Sequence, residues 1–232
     1  MKIGIMQPYL FPYIGYFQLI NAVDKFVLLD DVNYINRGWI NRNRILVNGE
    51  AQLLTIPLQD ASQNKLIKDI DIHFDIHWKE KLLKTIAFSY KKAPYFNEVF
   101  PMIEAIIGYE EHNLSLYIHN SLIQICEYVG IITMIEPSSS KYLNGHLKAD
   151  DKIIDICVQE KALHYINPIG GTELYDELKF LNFEIKLNFI KSEMIYYKQF
   201  KNDFVPWLSI LDVLMFNSKL QTNEMLTKFL LL

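Results

Sequence analysis

The chain has 232 residues, 50% hydrophobic and 22% charged, with a formal net charge of -4 at pH 7. That balance excludes a disordered or fibrous chain, and its mild acidity argues against a broad nucleic-acid face, which needs a basic surface. No apolar run approaches the ~18 residues of a membrane span, and Pro8 and Pro12 interrupt the stretch a secretory signal would use, so a cytoplasmic protein is expected.

The run 3–7 (IGIMQ) reads as a buried strand stopped by Pro8, and residues 14–23 carry apolar residues at helical spacing. Phe26 to Leu29 is continuously apolar and ends in Asp30 and Asp31, as a second buried parallel strand would. Together these predict an opening βαβ unit. Asn48-Gly49 between two alternating runs predicts a hairpin near residues 44–58, and Lys68 to His73 alternates as a further strand. Residues 77–91, 97–108 and 113–129 read as three helices, the last two stopped by Gly108 and Gly130. Beyond them the pattern predicts a strand at 131–135, a polar loop at 136–149 and a helix at 150–161. A strand at Leu163 to Ile166, a helix at 172–182, a strand at 184–190 and a last helix capped by Ser209 follow.

The expected fold is α/β, a mostly parallel sheet with helices on both faces, in a single domain over 1–232 with a possible helical subdomain at 77–129. Cys126 and Cys157 fall in apolar helical stretches and read as buried thiols of a reducing compartment, not as a disulfide or metal framework. His73 and His77 are four apart in a segment that alternates like a strand, so no metal site is expected.

Of the 23 cationic residues, 20 are Lys, and the three Arg (Arg37, Arg42 and Arg44) all lie within eight residues. A chain that uses Lys for solvated charge and concentrates guanidinium in one segment points to a site where a forked planar donor grips a carboxylate or phosphate. In parallel sheets ligands bind beyond the carboxyl ends of the strands, so the loops there come first. QPYLFPYIGYF puts Gln7, Tyr9, Tyr13, Gly15 and Tyr16 after the first strand, where Gly15 at a helix start would admit a phosphate. DDVNYINRGWINRNRI puts Asp30, Trp39, Asn41 and the three arginines after the second. The two loops are expected on one sheet edge, forming a single mouth for a sugar or nucleotide with a phosphate tail. Asp212, amid apolar neighbours near the end, needs a partner, and an arginine of the second loop is the expected one.

These segments, with LTIPL, the stretch from Gly170-Gly171 to Tyr175, and SILDVLMFN, resemble the WbqC-like protein family in the same order through nearly the whole chain. The resemblance implies a bacterial cytosolic protein of surface-polysaccharide (O-antigen) or sugar-modification pathways, with transfer of an acyl or aminoacyl group to an amino sugar as one activity. It carries Gln7, Pro8, Tyr9, Gly15, Tyr16, Asp30, Trp39, Asn41, Arg42, Arg44 and Asp212 as motif positions. Tyr13 stands where relatives often have Trp, and Ser218 where a Gly is usual nearby. A fainter likeness to nucleotidyl-transferases is weakened because Tyr16 replaces their helix-start His.

The expected function is a group transferase acting on a nucleotide- or lipid-linked amino sugar. Asp30 (general base), Arg42 and Tyr16 are the catalytic candidates. Gln7, Tyr9, Gly15, Trp39, Asn41, Arg37, Arg44 and Asp212 are the substrate-binding ones, Trp39 by stacking. The alternative is a non-catalytic sugar- or nucleotide-binding accessory protein. No cofactor is assigned, the partner is a small-molecule substrate, and no nucleic acid is expected.

Overall fold

A computed structural model describes residues 1–73, 75, 77–201 and 203–232. Six strands form one sheet: β1 (Lys2–Met6), β2 (Lys25–Leu28), β7 (Met134–Glu136), β8 (His164–Pro168), β9 (Lys186–Ser192) and β10 (Phe229–Leu231). Their order is β10-β9-β8-β1-β2-β7, parallel throughout except for β10, which pairs antiparallel with β9. The α/β class read from the sequence is therefore the observed one.

Alternation on the strands gives the sheet its two faces. Ile3, Ile5 and Val27 point into one core with residues of α5 (Ala149–Gln159) and α6 (Glu177–Leu181). Phe26 and Leu28 point into the other, larger core with α1 (Ile14–Asn21), α4 (Leu114–Val129) and α7 (Ile210–Phe216). That core also takes in α2 (His77–Tyr90), α3 (Phe96–Gly108), α8 (Lys219–Met225) and the hairpin β3 (Arg42–Val47) and β4 (Glu50–Thr55). The hairpin turns at Asn48 and Gly49 with φ of 53° and 86°, the two positive values a tight primed turn requires.

Several local expectations need correction. Lys68 to His73 is a 3-10 turn at Ile67–Asp69 followed by the two-residue strand β6 (Asp71–Ile72), which pairs with β5 (Leu58–Gln59). The helix expected over 172–182 is only α6, because Asp176 caps it by accepting from the Leu178 N–H. The strand expected at 131–135 starts later: Gly130 is left-handed and the Ile131 N–H still closes the end of α4 on the Cys126 carbonyl. Gly108 is the last helical residue of α3, and the chain turns out of the helix at Tyr109. Both α8 and β10 lie in a segment for which no element was predicted.

One topological feature positions the site. The chain leaves β1 toward β2 and leaves β8 toward β9, so the order reverses between the adjacent strands β1 and β8. A crevice at the carboxyl ends of such strands is where open α/β sheets take ligands, and the loop after β1 emerges there.

Candidate functional site

Three segments meet beside that loop, held by buried hydrogen bonds. The Leu10 N–H donates to the Ile40 carbonyl at 3.0 Å. The Asn43 carboxamide donates to the carbonyls of Leu10 at 3.2 Å and Phe11 at 2.9 Å. The Ser209 hydroxyl donates to the Phe11 carbonyl at 2.8 Å while accepting from the Leu211 N–H at 3.2 Å, so one side chain both caps α7 and fastens the first loop. The Ser209 N–H donates to the Arg44 carbonyl at 2.8 Å and the Ile210 N–H to the Pro12 carbonyl at 2.9 Å. Each buried carbonyl thus has a partner, which removes the penalty of burying an irregular loop.

Between these segments lies a cleft of about 250 Å3, walled by Tyr9, Pro12, Tyr13, Trp39 and Trp207 and floored by Asn43 and Arg44. The Arg44 guanidinium carbon sits 5.6 Å from the centre of the Trp39 ring, and one terminal nitrogen donates to the Trp207 carbonyl at 3.3 Å. Its Nε is buried without a partner among the described residues, a donor a ligand oxygen would satisfy. Tyr13 and Trp207 meet edge to face with centroids 6.1 Å apart. Burial raises the hydroxyl pKa of Tyr9, helped by the neighbouring Tyr13, and burial raises that of Tyr13 as well. Both are neutral at physiological pH and available to donate. Phe11 and Trp207 hold left-handed backbone, φ 42° and 58°, a strained conformation for bulky side chains.

Of the expected site residues, Tyr9, Trp39 and Arg44 line this cleft; the others lie elsewhere. Asn41 is buried, accepting from the Tyr34 hydroxyl at 2.9 Å and donating to the Ile56 carbonyl at 2.7 Å. Arg42 donates through Nε to the Gly38 carbonyl at 2.9 Å and through a terminal nitrogen to the Arg37 carbonyl, so it braces the turn that presents Trp39. Arg37 is exposed, with left-handed backbone. Tyr16 is buried, donates to the Gln7 carbonyl at 2.8 Å, and has a pKa pushed far up by burial. Gln7 is half-buried at the end of β1. Gly15 packs too tightly to admit a phosphate: an added Cβ would lie 2.3 Å from the Tyr13 ring and 2.4 Å from Ser192 Oγ.

Asp30 is 2% exposed and turned away from the cleft. It accepts from Ser138 Oγ at 2.7 Å, Ser139 N at 3.1 Å and Ser115 Oγ at 2.9 Å. Burial raises its pKa and outweighs those donors. Among the described residues Asp212 has no arginine partner, contrary to expectation. It accepts from Gln199 Nε2 at 2.6 Å, Tyr197 at 2.7 Å and Tyr90 at 2.9 Å, because α7 points it inward between those chains.

The residues that sequence reasoning passes over are Trp207, Pro12 and Asn43; Tyr13 stands in the expected first loop but carries no assigned role there. The one available signal was Pro206-Trp207 one residue ahead of the capping Ser209, an exposed-type pair before a recognisable helix start.

Residues 7–224 match the model of the WbqC-like protein family. The chain belongs to that family. It is also 33% identical over 216 residues, 92% of each chain, to the uncharacterized protein Rv1507c of Mycobacterium tuberculosis (strain ATCC 25618 / H37Rv). No solved structure matches. Of the cleft of this WbqC-like chain, every lining residue lies inside the matched span. Among the described residues, no helix is long and apolar enough to cross a membrane.

Proposed function

We propose that the aromatic cleft binds a phosphate-bearing sugar, a nucleotide- or lipid-linked amino sugar of bacterial surface polysaccharide synthesis, in the cytoplasm. The carrying observation is Arg44, the one charged side chain among the described residues lining the cleft, with an unpaired buried Nε beneath the Trp39 ring. Flat aromatic faces suit the apolar face of a sugar ring or a base, and a forked guanidinium suits the phosphate attached to it. The polysaccharide setting comes from the family likeness. A binding role is the better-supported one, because the side-chain groups of Asp30, Arg42 and Tyr16 are engaged with other protein groups away from the cleft.

A transferase role, the second reading, is favoured by one observation. The neutral hydroxyls of Tyr9 and Tyr13 share the cleft with Arg44, a set of donors that would stabilise the oxyanion of an acyl transfer.

Calorimetric titration with UDP-sugars tests the binding role. Arg44→Ala should weaken binding ~10- to 150-fold, the range for a lost hydrogen bond to a charged group. Equal affinity of wild type and Arg44→Ala would remove the cleft as the site. Product formation by the wild-type protein with an acyl donor, lost in Tyr13→Phe, would establish the second reading.

A further inference from the structure

β10 is an edge of the six-stranded sheet: it pairs with β9, and its other side has no strand partner among the described residues. The hydrogen bonds fix which residues face which way. The Leu232 and Phe189 N–H groups each donate to the other's carbonyl at 2.8 Å, and the Glu193 N–H donates to the Lys228 carbonyl at 3.1 Å. In an antiparallel pair such residues alternate with ones whose N–H and C=O point away from the partner strand. Lys228, Leu230 and Leu232 therefore direct their backbone groups at β9, and Phe229 and Leu231 turn theirs outward. Phe229 returns its N–H to the Thr227 carbonyl at 3.1 Å, so the outward row offers the Leu231 N–H and C=O and the Phe229 C=O.

Sheet edges are ordinarily guarded by charge, proline or a covering element. The opposite edge, β7, follows that rule, since its Glu136 is paired with Lys25 at 3.5 Å and Lys141 at 2.5 Å. On β10, Leu230, Leu231 and Leu232 are 52%, 47% and 56% exposed, and residues 229–232 include neither a charge nor a proline. We propose that β10 is a dimerisation edge, occupied by the β10 of a second copy of this chain, antiparallel across a two-fold axis at Leu230. An antiparallel pair of identical strands is self-complementary, as a two-fold interface must be. In this register each Leu231 N–H meets the Phe229 carbonyl of the other copy, Leu231 and Phe229 side chains pack across the pair, and the two Leu230 side chains meet at the axis. The free donor and the acceptor that faces it come from the same strand, which is why a second copy is the fitting occupant. The strands are short, so the interface is a small one and the association a weak one. None of the residues lining the aromatic cleft lies on β10, so this inference stands apart from the sugar reading.

Sedimentation equilibrium of the full chain from about 1 to 200 μM spans the affinities of a small interface. The wild type should rise with concentration toward twice the monomer mass. Leu231→Pro removes an outward N–H and no bond to β9, so it should stay monomeric and, when dilute, melt within about 2 °C of wild type. Leu230→Lys and Leu230→Glu each set like charges face to face at the axis, so each alone should stay monomeric, whereas their equimolar mixture should dimerise. A wild type that is monomeric throughout, a dimer that survives Leu231→Pro, a mixture that fails to associate, or open-ended growth into larger species would each overturn the proposal.

Discussion

The Asn43 side chain, on the first strand of the hairpin, donates to the Phe11 carbonyl at 2.9 Å across 32 residues of sequence, joining the tyrosine loop to the arginine strand. Phe11 is left-handed and the same carbonyl also accepts from Ser209, so three segments converge on one backbone oxygen.

Asn43→Ala should therefore destabilise the protein by about 1–3 kcal/mol, because it removes the donor shared by two buried carbonyls, and should lower the melting temperature by several degrees. Asn43→Asp should do no better, since an ionised carboxylate cannot donate. A melting temperature within a degree of wild type in both variants would show that the junction is held some other way.

Trp207 separates fold from function. A left-handed backbone costs a non-glycine residue about 1–2 kcal/mol, so Trp207→Gly should be more stable than Trp207→Ala by roughly 1 kcal/mol while both lose the cleft wall. Urea denaturation gives the stability order, and sugar titration should show both variants weakened alike. The reverse stability order would mean that residue 207 leaves the left-handed region in solution.

Lys152 and Asp31 form an ion pair at 2.6 Å with both side chains nearly inaccessible. Lys152→Met should cost about 3–5 kcal/mol by leaving a buried carboxylate uncompensated. The double variant with Asp31→Leu should recover much of that loss, because a buried pair replaced by apolar groups forfeits no desolvation. Chemical denaturation of both variants measures the difference; a double variant less stable than the single would contradict it.

Asp212 gives the pH dependence a defined sign. Burial raises its carboxyl pKa in the folded state, and the three donors offset this only in part. The folded chain therefore holds the proton more tightly than the unfolded one. Its contribution is full below the ordinary carboxylate range and is lost as pH rises through the raised value. In Asp212→Asn that loss is absent, so the stability difference between wild type and variant should shift against wild type from about pH 4 upward. Denaturation midpoints across that range provide the check, and a difference that moves the other way would require a lowered pKa.

Much of the fold was legible because it is written in short-range patterns. The apolar runs at β1, β2 and β9, the Asn48-Gly49 turn and the cap at Ser209 each depend on neighbours within a few residues. The clustering of arginine also marked a segment that reaches the candidate cleft, since Arg44 and Trp39 line it. The pattern failed where distant chains decide: β10 exists only because β9 offers it an edge, and the 172–182 helix is shortened by a single side-chain cap.

What the sequence determined by itself was the alternation of strands and helices and the inventory of aromatic and guanidinium groups available for a site. Which of those groups share a cleft was decided by the tertiary structure. Arg42 and Arg44 are two residues apart and equally forked, yet one braces a turn and the other faces the cavity, because each ends up beside different carbonyls. Asp30, expected as a general base, and Asp212, expected beside an arginine, are both buried among other groups. Their partners, three serine groups in one case and two tyrosines with a glutamine in the other, arrive from as far as 109 and 122 residues away. Hydrogen-bond direction and burial are properties of such long-range neighbours, and no local pattern encodes them.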